Sequence, residues 1–203
     1  MNAHRLPTDT DDGIVVIISG PSGVGKTTVT RGVERAIPGA VFSVSATTRA
    51  ATPADVEGVD YHFVSDEEFE RMKAGGEFLE TAGIYGKKYG TPRRWVEEQI
   101  RRGRVVILEI DVVGAKNVKA AIPGALAIFI LPPSEEALLQ RLRDRRREGE
   151  EAIAGRFAEA RRETLAARES GVYDLFLVNE DLGETIRRAV DAVLDRRRAR
   201  MSG

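Results

Sequence analysis

The stretch IVVIISGPSGVGKTT, residues 14–28, decides the fold of this chain. It begins with Ile14–Ser19, a run of apolar residues closed by a serine, which is typical of a buried strand. Residues 20–27 read GPSGVGKT and match the pattern G-x-x-x-x-G-K-T. No proline occurs in residues 27–37, so a helix can follow the glycine-rich turn. A strand, such a turn and a helix in this order predict a phosphate-binding loop.

This loop predicts that the chain binds a nucleoside triphosphate. Glycines let its backbone bend so that N–H groups face phosphate oxygens, and the helix adds the positive end of its dipole. Lys26 is expected to reach the β- and γ-phosphates, and the Thr27 hydroxyl to bind Mg²⁺. The predicted ATP-binding residues of the loop are Gly20, Pro21, Ser22, Gly23, Val24, Gly25, Lys26, Thr27 and Thr28.

Beyond the loop, apolar runs alternate with helical patterns, which predicts an α/β fold with a parallel sheet covered by helices. Ser65, with Glu68 three residues later, predicts a helix that begins with a capping box. Thr91 and Pro92 predict another helix, with Thr91 as its N-cap. Strands are expected at residues 14–19, 41–45, 59–64, 78–84, 104–110, 125–131 and 174–178, and further helices at 134–147, 150–169 and the end of the chain.

Composition excludes several classes of function. The formal net charge of −1 over 203 residues argues against binding nucleic acid through bulk positive potential. The absence of cysteine excludes disulfides and thiolate sites, and two histidines, His4 and His62, cannot form the usual zinc site. Residues 1–12 are polar and predict a frayed tail, and no apolar run approaches membrane-spanning length. We therefore expect a soluble cytoplasmic protein that binds neither nucleic acid nor membrane.

A second apolar strand, residues 105–111 with the sequence VVILEID, delivers two carboxylates. In proteins with a phosphate-binding loop, an acidic residue at this position faces the region of the metal and phosphates. Alternation along a strand places Glu109 and Asp111 on the same side, with Glu109 behind the metal ligands. A competing interpretation is that Asp111 caps the helix that starts near residue 112.

The chain resembles the guanylate kinases in a series of further motifs. They are SVSATTR at 43–49, GVDYHF at 58–63, FLE at 78–80, YGT at 89–91, LEID at 108–111, ILPPS at 130–134 and VNED at 178–181. The resemblance implies one domain, residues 1–203, with a P-loop NTPase-type parallel sheet, an inserted GMP-binding region and a helical lid. The implied boundaries are 13–44, 92–131 and 172–203 for the core, 45–91 for the insertion and 132–171 for the lid.

The resemblance also implies the reaction, which is ATP-dependent phosphorylation of GMP to GDP with Mg²⁺ as cofactor. It places Arg49, Tyr61 and Tyr89 at the GMP phosphate, and it places Ser45, Glu80, Thr91 and Asp111 around the guanine. The implied catalytic residues are Lys26 and the lid arginines Arg141, Arg145 and Arg156, with Asn179 beside the adenine. The implied partners are ATP and GMP, bound by a monomer or a homodimer.

The chemistry of guanine agrees with two of these residues. One carboxylate, Glu80, can accept from both N1–H and the 2-amino group, and the Thr91 hydroxyl can donate to O6. Adenine presents the reverse pattern, so a pocket of this kind can reject it by about 10⁴-fold. The acceptor phosphate is largely dianionic above its second pKa of about 6, so no general base is needed.

The sequence departs from the family in the turn at residues 50–55. Thr52 stands where the family usually has a second phosphate-binding arginine, and Asp55 stands where it has a glutamate. One neutral hydrogen bond is weaker than a charged bidentate one, so we expect weaker GMP binding unless Lys87 or Lys88 compensates. In the lid, three consecutive arginines at 145–147 replace one glycine-flanked arginine, and which of them faces the phosphates stays open.

Three alternatives to this function remain at the level of sequence. The chain could be a related kinase with another phosphorylated acceptor, such as a sugar phosphate, but Glu80, Thr91 and Asp111 would then have no guanine edge to bind. A non-catalytic guanylate kinase-like module that binds peptides is disfavoured by the complete phosphate-binding loop. A P-loop hydrolase or switch protein is disfavoured by the predicted acceptor site.

Overall fold

The computed structural model describes residues 13–84, 86–144 and 149–201. The strands are β1 (Ile14–Ser19), β2 (Val41–Phe42), β3 (Ala46–Thr47), β4 (His62–Phe63), β5 (Phe78–Ile84), β6 (Lys87–Pro92), β7 (Val105–Glu109), β8 (Leu126–Leu131) and β9 (Leu175–Val178). The helices are α1 (Lys26–Ala36), α2 (Asp66–Ala74), α3 (Arg93–Arg101), α4 (Val112–Ala121), α5 (Glu135–Asp144), α6 (Glu150–Ser170) and α7 (Leu182–Met201).

A five-stranded sheet in the order β2-β7-β1-β8-β9 forms the centre of the fold, and all its pairings are parallel. Every residue of β1 is buried because helices cover both faces of the sheet. Ile14, Val16 and Ile18 pack towards α1 and α7, whereas Val15 and Ile17 pack towards α3 and α4. The predicted parallel sheet covered by helices is therefore confirmed.

A smaller sheet in the order β4-β3-β6-β5 lies within the part of the chain between β2 and α3. Only the β3–β4 pair in it is parallel. Helix α2 covers this sheet through Phe69, whose ring stacks on that of Phe78 at a centroid distance of 4.7 Å. Strand β5 also contacts α3 and α4, which ties the smaller sheet to the covering helices of the larger one.

Helices α5 and α6 pack on each other through an apolar cluster of Leu138, Leu142, Ile153 and Ala160. Leu138 and Leu142 also lie against the phosphate-binding loop, close to Gly23. None of the helices in the described ranges combines the length and the hydrophobicity needed to cross a membrane.

Most predicted elements are confirmed, but the predicted extent of the strand at 41–45 is wrong, since only Val41 and Phe42 form β2. The strand ends early because the chain leaves the central sheet after Ser43, whose N–H donates to Ile107 O at 2.9 Å, and β3 of the smaller sheet begins at Ala46. The predicted strand 59–64 shrinks to β4. The capping box is confirmed, since Ser65 Oγ accepts from the Glu68 N–H at 3.1 Å.

The predicted cap at Thr91 is also wrong. Thr91 belongs to β6, where it pairs with Glu80 of β5, and its hydroxyl is used by the Glu80 carboxylate. Helix α3 begins two residues later, with Pro92 at the N-cap position and no side-chain cap. Tertiary pairing of the strand thus overrides the local preference for a helix start.

Candidate active site

The phosphate-binding loop, residues 20–27, has the conformation that its glycines permit. Gly23 and Gly25 have φ values of 88° and 95°, in the left-handed region that favours glycine. Lys26 Nζ donates to Gly20 O at 2.7 Å, so this ammonium group lies across the mouth of the loop. Asn179 Nδ2 donates to Val24 O at 2.8 Å, which fixes the loop against the end of β9.

Two of the three predicted lid arginines lie against this loop. Arg141 of α5 donates to Asn179 O at 3.0 Å, and Arg156 of α6 donates to Ser22 Oγ at 2.5 Å. Their cationic groups therefore stand beside the segment that is expected to carry phosphates. Arg145, the third predicted arginine, lies outside the described residues, as do Arg146 and Arg147.

A cavity of about 310 Å³ adjoins the loop and brings together predicted residues from four parts of the chain. It extends from Gly20 and Lys26 to the smaller sheet and to the end of β7. Its lining consists of Gly20, Lys26, Ser45, Tyr61, Glu80, Ala82, Tyr89, Glu109, Ile110, Asp111 and Glu163. This volume is at the lower end of the range for small-molecule sites.

One end of the cavity presents a buried carboxylate. Glu80 is only 6% exposed; its Oε1 accepts from Thr91 Oγ1 at 2.6 Å, and its Oε2 is buried without a partner among the described residues. Burial raises the pKa of Glu80 to about 7, the negative charge of Asp111 adds to the shift, and the Thr91 hydrogen bond opposes it. An unpaired, partly desolvated carboxylate oxygen is a strong acceptor for a ligand with N–H groups.

The Thr91 hydroxyl does not offer what the sequence predicts. Its single proton is directed to Glu80, so the hydroxyl presents lone pairs rather than a donor for guanine O6. In this arrangement Thr91 orients the carboxylate.

Asp111 has two places in the structure, as a helix cap and as part of the cavity wall. Its Oδ1 accepts from the Gly114 N–H at 2.7 Å and caps α4, as the competing interpretation predicts. Asp111 also lines the cavity, where its charge acts on Glu80.

Two of the three residues predicted to hold the acceptor phosphate, Tyr61 and Tyr89, line the cavity, and the third, Arg49, lies beside Tyr61. The rings of Tyr61 and Tyr89 lie 5.7 Å apart, and the Arg49 guanidinium lies 5.1 Å from the centre of the Tyr61 ring. Arg49 also forms a bidentate pair with Asp55, with distances of 3.0 and 2.8 Å. Hydrogen bonds from Arg49 and then from Thr52 hold the pKa of Asp55 well below its usual value.

The residue that replaces the family's second arginine is engaged elsewhere. The Thr52 hydroxyl and N–H both donate to Asp55, at 2.7 and 2.6 Å. Lys88 was a candidate to replace the charge of the arginine missing at position 52. Its Nζ instead lies 2.9 Å from Asp66 Oδ1 and 2.8 Å from Glu70 Oε1, so it is paired with carboxylates of α2. In this conformation the polar groups of Thr52 and Lys88 are bound to carboxylates, so neither side chain is available beside Arg49 to bind a phosphate.

A metal that arrives with a nucleotide fits the residues at the start of α1. Thr27 Oγ1 donates to Glu109 Oε1 at 2.9 Å, and Glu109 Oε2 is buried without a partner in the described ranges. These are hard oxygen donors of the type that Mg²⁺ prefers. The described residues contain no group of three or more acidic, histidine or cysteine side chains that could hold a metal, so substrate phosphates would have to complete the coordination.

Sequence reasoning missed Glu163 of α6, which reaches into the cavity. Burial raises the pKa of its carboxyl group, while Lys26 and the Ser22 N–H favour the charged form. Glu163 follows Arg156 by seven residues, so both side chains lie on one face of α6. The seven-residue spacing from Arg156 was the signal in the sequence that could have identified Glu163. Both side chains interact with Ser22 of the loop.

Comparisons with known proteins agree with this geometry. The family model described as guanylate kinase matches residues 13–196. The guanylate kinase of Symbiobacterium thermophilum is 49% identical over 174 residues, which are 86% of this chain and 81% of the relative. That of Trichormus variabilis is 46% identical over 193 residues, 95% of each chain. A crystal structure of guanylate kinase from Anaplasma phagocytophilum superposes with a TM-score of 0.73 at 32% identity, covering 93% of this chain and 88% of the other.

Proposed function

The chain belongs to the guanylate kinase family, and we propose that it transfers the γ-phosphoryl group of ATP to GMP, giving ADP and GDP. The observation that carries the proposal is the buried carboxylate of Glu80, which lines the cavity that adjoins the phosphate-binding loop and whose Oε2 has no partner among the residues described. A loop for the donor and a carboxylate for the acceptor base then share one cavity.

Guanine suits this carboxylate. Its N1–H and 2-amino groups are adjacent donors, and Glu80 has acceptor capacity left on Oε1 and all of it on Oε2. Adenine would direct an acceptor and no donor pair at the same oxygens. Leaving the buried charge unpaired is costly, so the pocket favours GMP over AMP.

The proposed mechanism is positioning combined with charge stabilisation. The acceptor oxygen is already an anion, so the chain supplies no general base, and His62 is exposed and paired with Glu57 Oε1 at 3.1 Å. Lys26, Arg141 and Arg156 offset the negative charge that spreads over the transferred group. Arg49, Tyr61 and Tyr89 hold the acceptor phosphate for in-line attack.

Mg²⁺ fits as the cofactor. We propose that the Thr27 hydroxyl binds it and that Glu109 orients this hydroxyl through the bond described above. Held there together with ATP, Mg²⁺ would supply positive charge that offsets part of the negative charge of the phosphates.

We further propose that the three predicted parts have separate tasks. The core with the central sheet presents the loop, the insertion at 45–91 binds GMP, and the lid at 132–171 brings Arg141 and Arg156 to the phosphates. Closure of the insertion and the lid over bound substrates would exclude water and limit hydrolysis of ATP.

An assay of ADP formation tests this function. Purified protein is given ATP and Mg²⁺ with GMP, AMP, UMP, a sugar phosphate or no acceptor. We expect fast ADP formation with GMP and slow formation in every other case. Preference for another acceptor would indicate a related kinase. Equal rates with and without acceptors would indicate a hydrolase, and the absence of ADP formation would indicate a binding module.

A further inference from the structure

The Glu80 carboxylate lies against the backbone of the first turn of α4. A Cβ atom added to Gly114 would lie 2.8 Å from Glu80 Oε2, 3.2 Å from Glu80 Cδ and 3.3 Å from Asp111 Oδ1. The first of these distances is shorter than non-bonded carbon–oxygen contacts allow. Any residue other than glycine at this position therefore competes with the carboxylate for space.

The carboxylate has little freedom to move aside. Glu80 is 6% exposed, and the Thr91 hydroxyl holds Oε1 at 2.6 Å. Backbone pairing of β5 with β6 places Glu80 opposite Thr91, so the two side chains are fixed by the sheet as well as by their hydrogen bond. A methyl group at position 114 would displace Oε2 or break the bond from Thr91.

The backbone at Gly114 does not itself require glycine. Gly114 is a helical residue of α4 and has no positive φ. Alanine is the better helix former at such a position. A glycine that local preference disfavours, beside an unpaired buried oxygen, points to a requirement of the site rather than of the helix.

We propose that Gly114 is a positioning residue for acceptor recognition, since its missing side chain leaves the space that Glu80 Oε2 occupies. This inference rests on the proposed function, because it takes the guanine of GMP as the ligand of that oxygen. Gly114 acts through Glu80 and does not touch the phosphate-binding loop. Its effect should therefore be confined to the acceptor.

The test is Gly114→Ala, with steady-state kinetics for both substrates. Displacing a recognition group by a fraction of an ångström to an ångström is expected to raise the KM for GMP at least about tenfold. The KM for ATP and the kcat at saturating GMP should stay within about twofold to threefold, because the loop is untouched. The matched control is Gly155→Ala in α6, where an added Cβ meets no atom within 4 Å. G114A should still unfold in a single cooperative transition, at a temperature at most several degrees below that of the wild type, because the better helix preference of alanine offsets part of the cost of the close contact.

A double-mutant cycle separates positioning from general damage to α4. In the Glu80→Asp background the shorter side chain withdraws the carboxylate from the added methyl group, so G114A should cost less than about threefold in kcat/KM for GMP. An equal loss in both backgrounds, equal rises in the two KM values, or an unchanged KM for GMP would each overturn the inference. The rate of the wild type with GMP tests the proposed function. The role of Gly114 is tested separately, by the ratios of KM and kcat/KM between the variants and their parent proteins.

Discussion

The phosphate-binding loop and the base pocket line the same cavity, but the chain builds them in different ways. The loop is one segment, residues 20–27, shaped largely by its own glycines and by its position between β1 and α1. The base pocket (Ser45, Glu80, Thr91 and Asp111) takes its residues from the position before β3, from β5 and β6 of the smaller sheet and from the cap of α4. The conformation of a contiguous segment can be determined largely by its own residues. A pocket built from several elements forms only when the chain folds.

The difference also concerns which atoms do the binding. Backbone N–H groups make up most of the expected contacts in the loop, and one side chain, Lys26, adds a full charge. In the base pocket the side chains carry the recognition, and Glu80 Oε2 has no partner in the part of the chain that the structure describes. Substitutions should therefore affect catalysis in the loop and acceptor choice in the pocket.

The largest effect is expected for Lys26→Ala. Removal of the one ammonium group in the loop should lower kcat about 10³-fold or more, because charge on the transferred group is no longer offset. The fold should persist, since the lost hydrogen bond to Gly20 O is worth about 1 kcal/mol. Lys73→Ala, at an exposed lysine of α2, is the control for both rate and thermal unfolding. Turnover within tenfold of the wild type would contradict this role.

Glu80→Gln should affect the use of GMP, which the pocket binds, without affecting the binding of ATP by the loop. The neutral amide offers one acceptor and places a donor against the guanine donors, so kcat/KM for GMP should fall about 10²-fold. The KM for ATP should change less than twofold, because Glu80 does not contact the loop. Glu67→Gln, at an exposed position of α2, is the matched control. Equal losses for both substrates would refute the assignment of Glu80 to the base.

The raised pKa of Glu80 adds a dependence on pH that the loop should lack. The ionised form is the one that accepts both guanine donors, and with a pKa of about 7 only a minor fraction is ionised at pH 6. The KM for GMP should therefore increase about tenfold as the pH falls from 8 to 6, while the KM for ATP changes less. Initial rates in a constant-ionic-strength buffer series measure this.

The Glu80→Gln variant is the control for this pH series. It keeps the titration of the GMP phosphate, whose second pKa is about 6, and loses that of Glu80. An identical pH dependence in the variant and the wild type would show that Glu80 is not the group responsible.

The smallest effect is expected at the acceptor phosphate, for Thr52→Arg. The added guanidinium restores the charge that the family usually has there, and it should lower the KM for GMP about fivefold, the value of an exposed ion pair. Thr52→Val removes only the hydroxyl donated to Asp55 and serves as control. A KM that is unchanged or higher in T52R would mean that this turn does not face the phosphate.

Local patterns were sufficient for the central sheet, the loop and the capping box of α2. Each depends on residues close in sequence: apolar runs for buried strands, glycines for positive φ, and Ser65 with Glu68 for the cap. The same local reasoning failed at Thr91, because a threonine before a proline is a good helix cap only when no strand partner is available. It also missed Glu163, which reaches the loop from α6.

The sequence by itself determined the phosphate-binding loop, whose atoms belong to one short segment, and the parallel α/β fold, which follows from apolar runs and helical patterns that are each local. Only the tertiary structure decided that Thr91 holds Glu80 and that Asp111 both caps α4 and lines the cavity. The tertiary structure also decided that Gly114 leaves room for a carboxylate. These features depend on distances between residues that lie on different elements, and such distances are set by packing rather than by any local pattern.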